Sequence, residues 1–293
     1  MISCIDVQRK FQNKEVLKGI NFQIKEPKII ALVGHNGAGK STLMRLLAGR
    51  LKPNAGEILI KNVAPFQHLG VAMNTVLIEE DMAFSDSLTI KEHFKWAKSF
   101  YPNWQQEIAK SLCDYASLDM NAYYDKLSKG QAATFRLIYG LCTRSPYTYL
   151  DEPMNGMDEG IRNDFYRVIL KEYIAAPRML MISTHYLNEI RQLVEDVLMV
   201  HEGRIRMHAT IDELEAYALY IQGTSQEVEQ ALEGVEVLFK SEDRGFMEAV
   251  VRAEKFDVQE VLQNGLQVRN LEAHVTCRYL TSYRQGGIDD VYK

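Results

Sequence analysis

Gly34-His35-Asn36-Gly37-Ala38-Gly39-Lys40-Ser41 is the stretch that decides the fold. It has the form GxxxxGK[ST] and directly follows 28–33, an apolar segment typical of a buried strand. Glycines let the backbone close around phosphate with several N–H groups pointing inward, and a helix beginning near Lys40 adds its positive end. The stretch therefore predicts a phosphate site in which Lys40 neutralises the β- and γ-phosphates and Ser41 ligates magnesium.

A second motif is a pair of acids that ends another apolar segment. Residues 147–150 read Tyr-Thr-Tyr-Leu and are followed by Asp151 and Glu152. At the C-terminal edge of a strand, Asp151 can hold magnesium or its waters, and Glu152 can orient or deprotonate an attacking water. Paired acids are most often a solvated surface feature. Here they follow a phosphate-binding loop and end an apolar strand, which favours nucleotide hydrolysis.

Short β-like segments alternate with helical ones along the chain, and this order predicts an α/β fold. The predicted strands are 20–24, 28–33, 58–60, 147–150, 179–182 and 197–200. Segments 2–7 and 20–24 lie close together without a helix between them, so we expect an antiparallel β layer beside a parallel β core. Residues 88–125 carry apolar positions at helical spacing, broken at Pro102, and predict a helical insertion.

Composition limits the class of protein. The chain has 293 residues, is 46% hydrophobic and 25% charged, and carries a formal net charge of −5, which argues against binding of nucleic acid. Its four cysteines are far apart and form no CxxC pair, so a disulfide framework or zinc site is not indicated and a reducing cytosol is expected. No uncharged apolar segment approaches the roughly 20 residues that span a bilayer, so we expect no direct membrane span and any membrane role through a partner.

The segment Leu127-Ser128-Lys129-Gly130-Gln131 resembles the LSGGQ signature of the ABC ATPase family, with Lys129 departing at one position. The family motifs occur in order over about residues 2–208. In that family the signature caps the γ-phosphate of the nucleotide held by the other subunit. The resemblance therefore implies a head-to-tail dimer, either a homodimer or a heterodimer with a second ATPase subunit.

Further positions match other family elements. The resemblance places Asp158 near the dimer interface, His185 at γ-phosphate and the catalytic water, and Phe11 against adenine. A structural His and a buried core Phe are the alternatives for the last two. Where the family has a glutamine that touches magnesium and the membrane subunit, counting back from Leu88 gives Glu80, with a one-residue shift of register as the alternative.

The predicted site residues fall into three groups. The catalytic group is Lys40, Glu152 and His185. The metal group is Ser41, Asp151 and Glu80. The nucleotide-binding group is Phe11, Gly34, His35, Asn36, Gly37, Ala38, Gly39, Lys40, Ser41, Thr42, Ser128, Lys129, Gly130, Gln131 and Asp158.

The resemblance implies an ATP-hydrolysing motor subunit that uses ATP and Mg²⁺ and works with a separate transmembrane permease at the cytoplasmic face of the membrane. The aromatic run 100–104 and the LSK variant resemble bacterial ABC exporters of the antimicrobial-peptide and bacitracin-resistance type, whose cargo would be a peptide or an amphipathic compound. Core packing is the alternative for the aromatic run. A soluble ABC ATPase acting on ribosomes or nucleic acid and an importer motor are the alternative functions.

The sequence predicts two domains. Residues 1–208 form the ABC nucleotide-binding domain, with a helical subdomain at about 88–145. Residues 209–293 form a small α+β accessory domain, because 219–222 (β), 226–232 (α), 235–239 (β), 247–252 (β), 258–263 (α) and 266–268 (β) give the βαββαβ order of a ferredoxin-like domain. It contains no constellation of catalytic side chains, so a dimer-supporting or regulatory role is expected.

Overall fold

A computed structural model describes residues 1–256 and 265–281. Its internal contacts divide the chain into a larger unit, 1–185 with 192–208, and a smaller unit, 186–191 with the residues from 209 onward. Up to residue 210 the elements in chain order are β1 (Ile2–Phe11), β2 (Lys14–Ile24), β3 (Ile29–Val33), α1 (Lys40–Leu47), β4 (Ala55–Ile60), α2 (Leu69–Ala72), β5 (Thr75–Ile78), α3 (Ile90–Phe100), α4 (Gln106–Tyr115), α5 (Lys129–Cys142), β6 (Tyr147–Asp151), α6 (Glu159–Ala175), β7 (Met179–Thr184), α7 (Leu187–Ile190), β8 (Asp196–His201) and β9 (Arg204–Thr210).

The larger unit is built on a six-stranded sheet with the order β5-β6-β7-β3-β8-β9. The pairs from β5 through β8 are parallel. β3, β5 and β7 are buried along their whole length, as expected for parallel strands that are covered on both faces. The predicted α/β class with a parallel core is confirmed.

A three-stranded antiparallel sheet, with the order β2-β1-β4, forms a second layer. One hydrophobic core joins the two sheets through α1, with Ile2 and Ile20 from the antiparallel layer, Leu43 from α1, and Ile30 and Leu32 from β3 all fully buried. The predicted antiparallel layer is therefore confirmed. The segment predicted as strand 58–60 belongs to this layer as part of β4.

The segment predicted as a helical subdomain, about 88–145, contains α3, α4 and α5. Thr89 begins α3 with a capping box in which its side chain accepts from the Glu92 N–H and Glu92 accepts from the Thr89 N–H. An aromatic cluster fills the interior, with neighbouring ring centroids 4.8 Å apart for Phe84 and Phe135 and 5.2 Å for Phe94 and Trp104. Its members are Phe84, His93, Phe94, Trp104, Tyr124, Phe135 and Tyr139.

The aromatic run 100–104 is divided between core and surface. Trp104 is buried against Phe94, and Tyr101 packs edge-on against Tyr139. Phe100 is 67% exposed and stacks on Trp96, which is also exposed. Core packing therefore accounts for two of the three aromatic rings in this run.

The smaller unit contains a four-stranded antiparallel sheet with the order β11-β12-β10-β13, where β10 is Ala218–Thr224, β11 is Val237–Asp243, β12 is Phe246–Arg252 and β13 is Gln267–Asn270. The helices that the structure describes in this unit are α7, α8 (Ile211–Tyr217), α9 (Ser225–Ala231) and α10 (Ala273–Thr281). Val228 of α9 packs with Ile221 on one face of the sheet, and Val275 of α10 packs with Val250 on the other. The helix predicted at 258–263 lies outside the described residues, and the ferredoxin-like assignment stays a prediction.

Two strands of the larger unit were not predicted. β5 is only four residues long, and β9 alternates half-exposed and exposed positions at the edge of its sheet. No helix among the described residues is both long and apolar enough to cross a bilayer. All four cysteines are free and buried.

Candidate nucleotide-binding site

The parallel sheet brings the predicted site residues to one edge. In the strand register, Val33 at the end of β3 pairs with Thr184 at the end of β7, and Asp151 at the end of β6 pairs with Ser183. The segments that leave these three strands therefore start side by side at the carboxyl edge, where α/β sheets bind ligands.

The loop 34–39 turns from β3 into α1 through glycines with two different constraints. Gly37 and Gly39 have φ of +82° and +110°, a region that favours glycine. Gly34 has no positive φ but leaves no room for a side chain, because a β-carbon there would lie 2.4 Å from the Val200 carbonyl oxygen. The loop thus has the open backbone that a phosphate cradle requires.

Lys40 is buried at the first position of α1, with only 6% of its surface exposed. Its Nζ donates to the Gly34 carbonyl at 2.7 Å and lies 3.4 Å from Glu152 Oε1. That Glu152 oxygen is buried and makes no hydrogen bond within residues 1–256 and 265–281, so the approach to Lys40 is an ion pair without hydrogen-bond geometry. A buried ammonium group needs negative partners, and phosphate oxygens in the loop would supply them.

Ser183 connects the two acids of the second motif. Its hydroxyl donates to Asp151 Oδ1 and accepts from the Glu152 backbone N–H at 2.9 Å. Glu152 has φ of +45°, which is uncommon for a residue other than glycine. The Ser183 bond therefore helps to hold the backbone conformation that aims the Glu152 side chain.

His185 follows β7 and contacts the carboxylate of Glu152. Its Nδ1 lies 2.9 Å from Glu152 Oε2. Glu152 is thus placed between Lys40 on one oxygen and His185 on the other. These three predicted catalytic residues form one contact chain.

The signature segment begins α5. The Ser128 side chain accepts from the Gln131 N–H, and Gln131 accepts from the Ser128 N–H, which forms a capping box. Gly130 packs against the loop after β6, since a β-carbon on Gly130 would lie 2.8 Å from the Gly156 carbonyl oxygen. Asp158 is the exposed N-cap residue of α6 at the end of that loop and makes no side-chain capping bond.

The loop after β5 contains both candidate residues for the family's glutamine position. Glu80 is exposed and its Oε1 lies 3.1 Å from Lys129 Nζ. Glu79 is buried and bonds to Arg45 of α1 and to Arg50, the latter at 2.7 Å. The Glu79 hydrogen bond raises the pKa of Arg45 above its ordinary value. Glu79 therefore has a structural ion-pair role, and Glu80 is the carboxylate that faces outward.

Phe11 ends β1 with 41% of its surface exposed, and the Arg9 guanidinium lies 4.6 Å from its ring centroid. An exposed ring at a strand end is available for stacking, which the buried-core alternative does not allow.

Sequence reasoning missed Ser183 as a site residue, although its position immediately before Thr184-His185 at the end of a predicted strand was a usable signal.

The donor set fits magnesium bound together with a nucleotide. Ser41 offers a hydroxyl beside Lys40, and Asp151 offers a carboxylate oriented by Ser183. Mg²⁺ prefers oxygen ligands and is usually held by one or two protein groups plus phosphate and water. Among the described residues there is no group of three His, Cys, Asp or Glu side chains suited to a metal ion, so phosphate oxygens would have to complete the coordination.

Comparisons with known proteins agree with this geometry. A family model described as "ABC transporter" matches residues 17–155. The ABC transporter ATP-binding protein YtrB of Bacillus subtilis (strain 168) is 25% identical over 222 residues, which cover 76% of each chain.

Two solved structures share the fold. One is an ATP-binding subunit of an ABC transporter, with a TM-score of 0.66 and 22% identity over 73% of this chain and 92% of that one. The other is a dimeric ATP-binding cassette in a post-hydrolysis state with ADP and Pi, with a TM-score of 0.63 and 20% identity over 72% of this chain and 98% of that one. The family model and the name of the relative support the chain as an ABC transporter ATP-binding subunit, and its larger unit has the P-loop NTPase fold of ABC ATP-binding cassettes.

Proposed function

We propose that this chain is the ATP-hydrolysing motor of an ABC transporter and that it acts through two composite sites at a head-to-tail dimer interface. The observation that carries the proposal is the contact chain from Lys40 through Glu152 to His185 at the end of three neighbouring strands. At a phosphate-binding loop, a lysine can neutralise phosphate, a carboxylate can activate water, and an imidazole can orient both for phosphoryl transfer.

Each residue has a defined task in this proposal. Loop 34–39 and Lys40 bind the phosphates, with Thr42 beside them, and Phe11 stacks on adenine. Glu152 orients and deprotonates the attacking water, and His185 holds Glu152 and the γ-phosphate in place. Ser41 and Asp151 hold Mg²⁺, with Glu80 as a further carboxylate ligand. When bound there, the metal ion would supply positive charge against the phosphate oxygens.

The dimer is proposed from the signature segment. Residues 128–131 begin α5 with N–H groups and a serine, which suit an anion, and they would meet the phosphate of the nucleotide held by a second copy or a related ATPase. Asp158 would lie near the same interface. Hydrolysis removes the contacts that the γ-phosphate makes to both subunits, so the dimer opens and a separate permease at the cytoplasmic face converts that opening into transport.

Phosphate release by purified protein tests the hydrolytic site. Glu152→Gln should lower kcat by about 10²- to 10⁴-fold, because it removes the general base, while ATP still binds. Glu159→Gln is the matched control, since Glu159 is an exposed carboxylate in the first turn of α6. Wild-type turnover in Glu152→Gln would refute the assignment.

We infer that the cargo leaves the cell as a peptide or an amphipathic compound. Support comes from the LSK variant and the aromatic run 100–104, of which Phe100 forms an exposed stack with Trp96. Purification of the chain with its membrane partner tests the direction. Outward movement of an amphipathic peptide driven by ATP is expected, and co-purification of an extracytoplasmic substrate-binding protein would favour import instead.

Residues 209–293 are proposed as a dimer-supporting or regulatory domain. The smaller unit also contains α7, whose neighbour Arg191 pairs with Glu215 of α8 at 2.5 Å. α7 begins two residues after His185, so the smaller unit includes the segment that directly follows a proposed catalytic residue. Arg191→Met should change kcat more than the affinity for ATP; unchanged kcat would argue against regulation through this segment.

A further inference from the structure

Glu80 and Lys129 are two positions at which the chain departs from the family pattern, and their side chains form an ion pair. Lys129 Nζ lies 3.1 Å from Glu80 Oε1. Glu80 lies two residues after the end of β5, and Lys129 is the first residue of α5. The pair therefore joins the loop after β5 to the start of the signature helix.

The aliphatic part of Lys129 makes a second connection. A β-carbon on Gly156 would lie 3.9 Å from Lys129 Cβ and 4.0 Å from its Cδ, so the lysine stem passes over the loop that follows Glu152. One side chain thus contacts the Glu80 loop and the Gly156 loop while it belongs to α5.

The charges explain why Lys129 takes a carboxylate partner. A cation in the first turn of a helix is disfavoured by the helix dipole, and α5 has no acidic residue in its own first turn. Glu80 supplies the missing negative charge from a different segment. Its neighbour Glu79 is buried and bonded to Arg45 and Arg50, so the base of the Glu80 loop is fixed.

The ion pair between Lys129 and Glu80 is exposed, so another anion can replace Glu80. The Lys129 and Glu80 side chains are 83% and 54% exposed, so water and salt weaken their attraction. A phosphate group at the start of α5 carries more negative charge than one carboxylate and would compete for the same ammonium.

We propose that Lys129 is a positioning residue that exchanges Glu80 for the phosphate of the partner subunit's nucleotide. Arrival of nucleotide at α5 thereby releases the Glu80 loop and frees its carboxylate for the magnesium site. The inference rests on the proposed function, because the phosphate that reaches α5 belongs to a second ATPase subunit.

Hydrogen exchange of the nucleotide-free protein tests the ion pair by itself. Lys129→Met keeps the stem and removes the charge, and Glu80→Gln keeps the shape of the partner. Each should speed exchange in peptides that cover 79–88 by about two- to fivefold, the range that surface ion pairs give. Lys110→Met is the control, since Lys110 is an exposed lysine of α4, outside the two loops that Lys129 contacts. Exchange in 79–88 that Lys129→Met leaves unchanged would overturn the proposal.

A double-mutant cycle on ATP hydrolysis tests the exchange step. Glu80→Gln removes the carboxylate that Lys129 has to leave, and it also removes a proposed magnesium ligand. The loss of the ligand is common to both backgrounds, so the ratio of KM for ATP between Glu80→Gln and its parent should be about two- to fivefold lower with Lys129 present than in a Lys129→Met background. About 1 M salt should remove this difference between the two backgrounds, because it screens the exposed ion pair. An equal effect of Glu80→Gln in both backgrounds contradicts the exchange. A wild-type protein without ATPase activity would refute the proposed function instead, while hydrogen exchange still decides the ion pair.

Discussion

Ser183 shows how one hydroxyl group can position two site residues. Ser183→Ala removes its bonds to Asp151 and to the Glu152 N–H, so the catalytic carboxylate loses its backbone support. We expect kcat to fall about 10- to 100-fold with a smaller change in KM, because hydrogen bonds to charged groups are worth about 1.5–3 kcal/mol.

Ser145→Ala is the matched control for this measurement. Ser145 is also buried, but its Oγ has no hydrogen-bond partner among the described residues. Steady-state ATPase kinetics of Ser183→Ala and Ser145→Ala show whether the Ser183 hydrogen bonds support catalysis. Equal losses in the two would mean that Ser183 acts only through general packing.

Residues with a distinctive local pattern were accessible from sequence, while those defined by distant partners were not. Lys40 and Asp151 could be predicted because each follows an apolar strand in a recognisable motif. The structure places the carboxyl ends of the three strands β3, β6 and β7, from which the site segments start, at one sheet edge. The pairing of Glu79 with Arg45 and Arg50 spans 34 and 29 positions, so no local pattern reports it. The choice between Glu79 and Glu80 for the family's glutamine position therefore depended on how buried each side chain is, which the structure shows.

At the scale of elements, the start of α5 and the loop after β6 fit too closely for an added side chain. Gly130→Ala would place a β-carbon 2.8 Å from a backbone oxygen of Gly156, so one of the two segments has to move. We expect ATPase activity to fall several-fold while ATP binding by the monomer is retained. Gly160→Ala is the control, because a β-carbon there meets no atom of the described part of the chain within 4 Å.

Equilibrium binding of a fluorescent ATP analogue, together with phosphate release, separates the two effects. Wild-type phosphate release in Gly130→Ala would show that the fit between these two segments does not matter for catalysis.

The aromatic cluster gives the helical insertion a pH dependence. Burial lowers the pKa of His93, whose Nε2 lies 3.1 Å from the Ser85 carbonyl oxygen. The unfolded chain then binds more protons than the folded one between the two pKa values, so this group lowers stability as pH falls through about 6.5. Above that range its contribution is constant.

Urea unfolding at pH 7.5 and pH 5.5 checks this expectation. The wild type should lose more unfolding free energy between the two values than His93→Gln, which does not titrate in this range. Identical pH dependence of the two proteins would contradict it.

Elements with a clear hydrophobic pattern were predicted best. The segments that became β3, β6 and β7 are mostly apolar and α3 has clear helical spacing, so their type followed from sequence. β5 has four residues, too few to show a period, and β9 is a half-exposed edge strand defined by its pairing with β8. Tertiary pairing, which no local window contains, decided both strands.

At the scale of the whole molecule, the sequence predicts a domain boundary after residue 208, and the larger unit consists of 1–185 and 192–208. It gave no sign that 186–191 would group with the smaller unit, because α7 has only four residues and its contacts lie with helices of that unit. The dimer and the role of the smaller unit depend on partners, so they stay proposals.

The molar mass of purified Glu152→Gln by light scattering, with and without ATP and magnesium, tests the central claim most directly. The substitution retains Lys40 and the loop but removes the base, so bound ATP should persist at the interface. A composite site between two copies of this chain predicts a monomer without nucleotide and a dimer with both ATP and magnesium. A protein that binds ATP and magnesium yet remains a monomer would contradict the claim that nucleotide joins two copies of this chain.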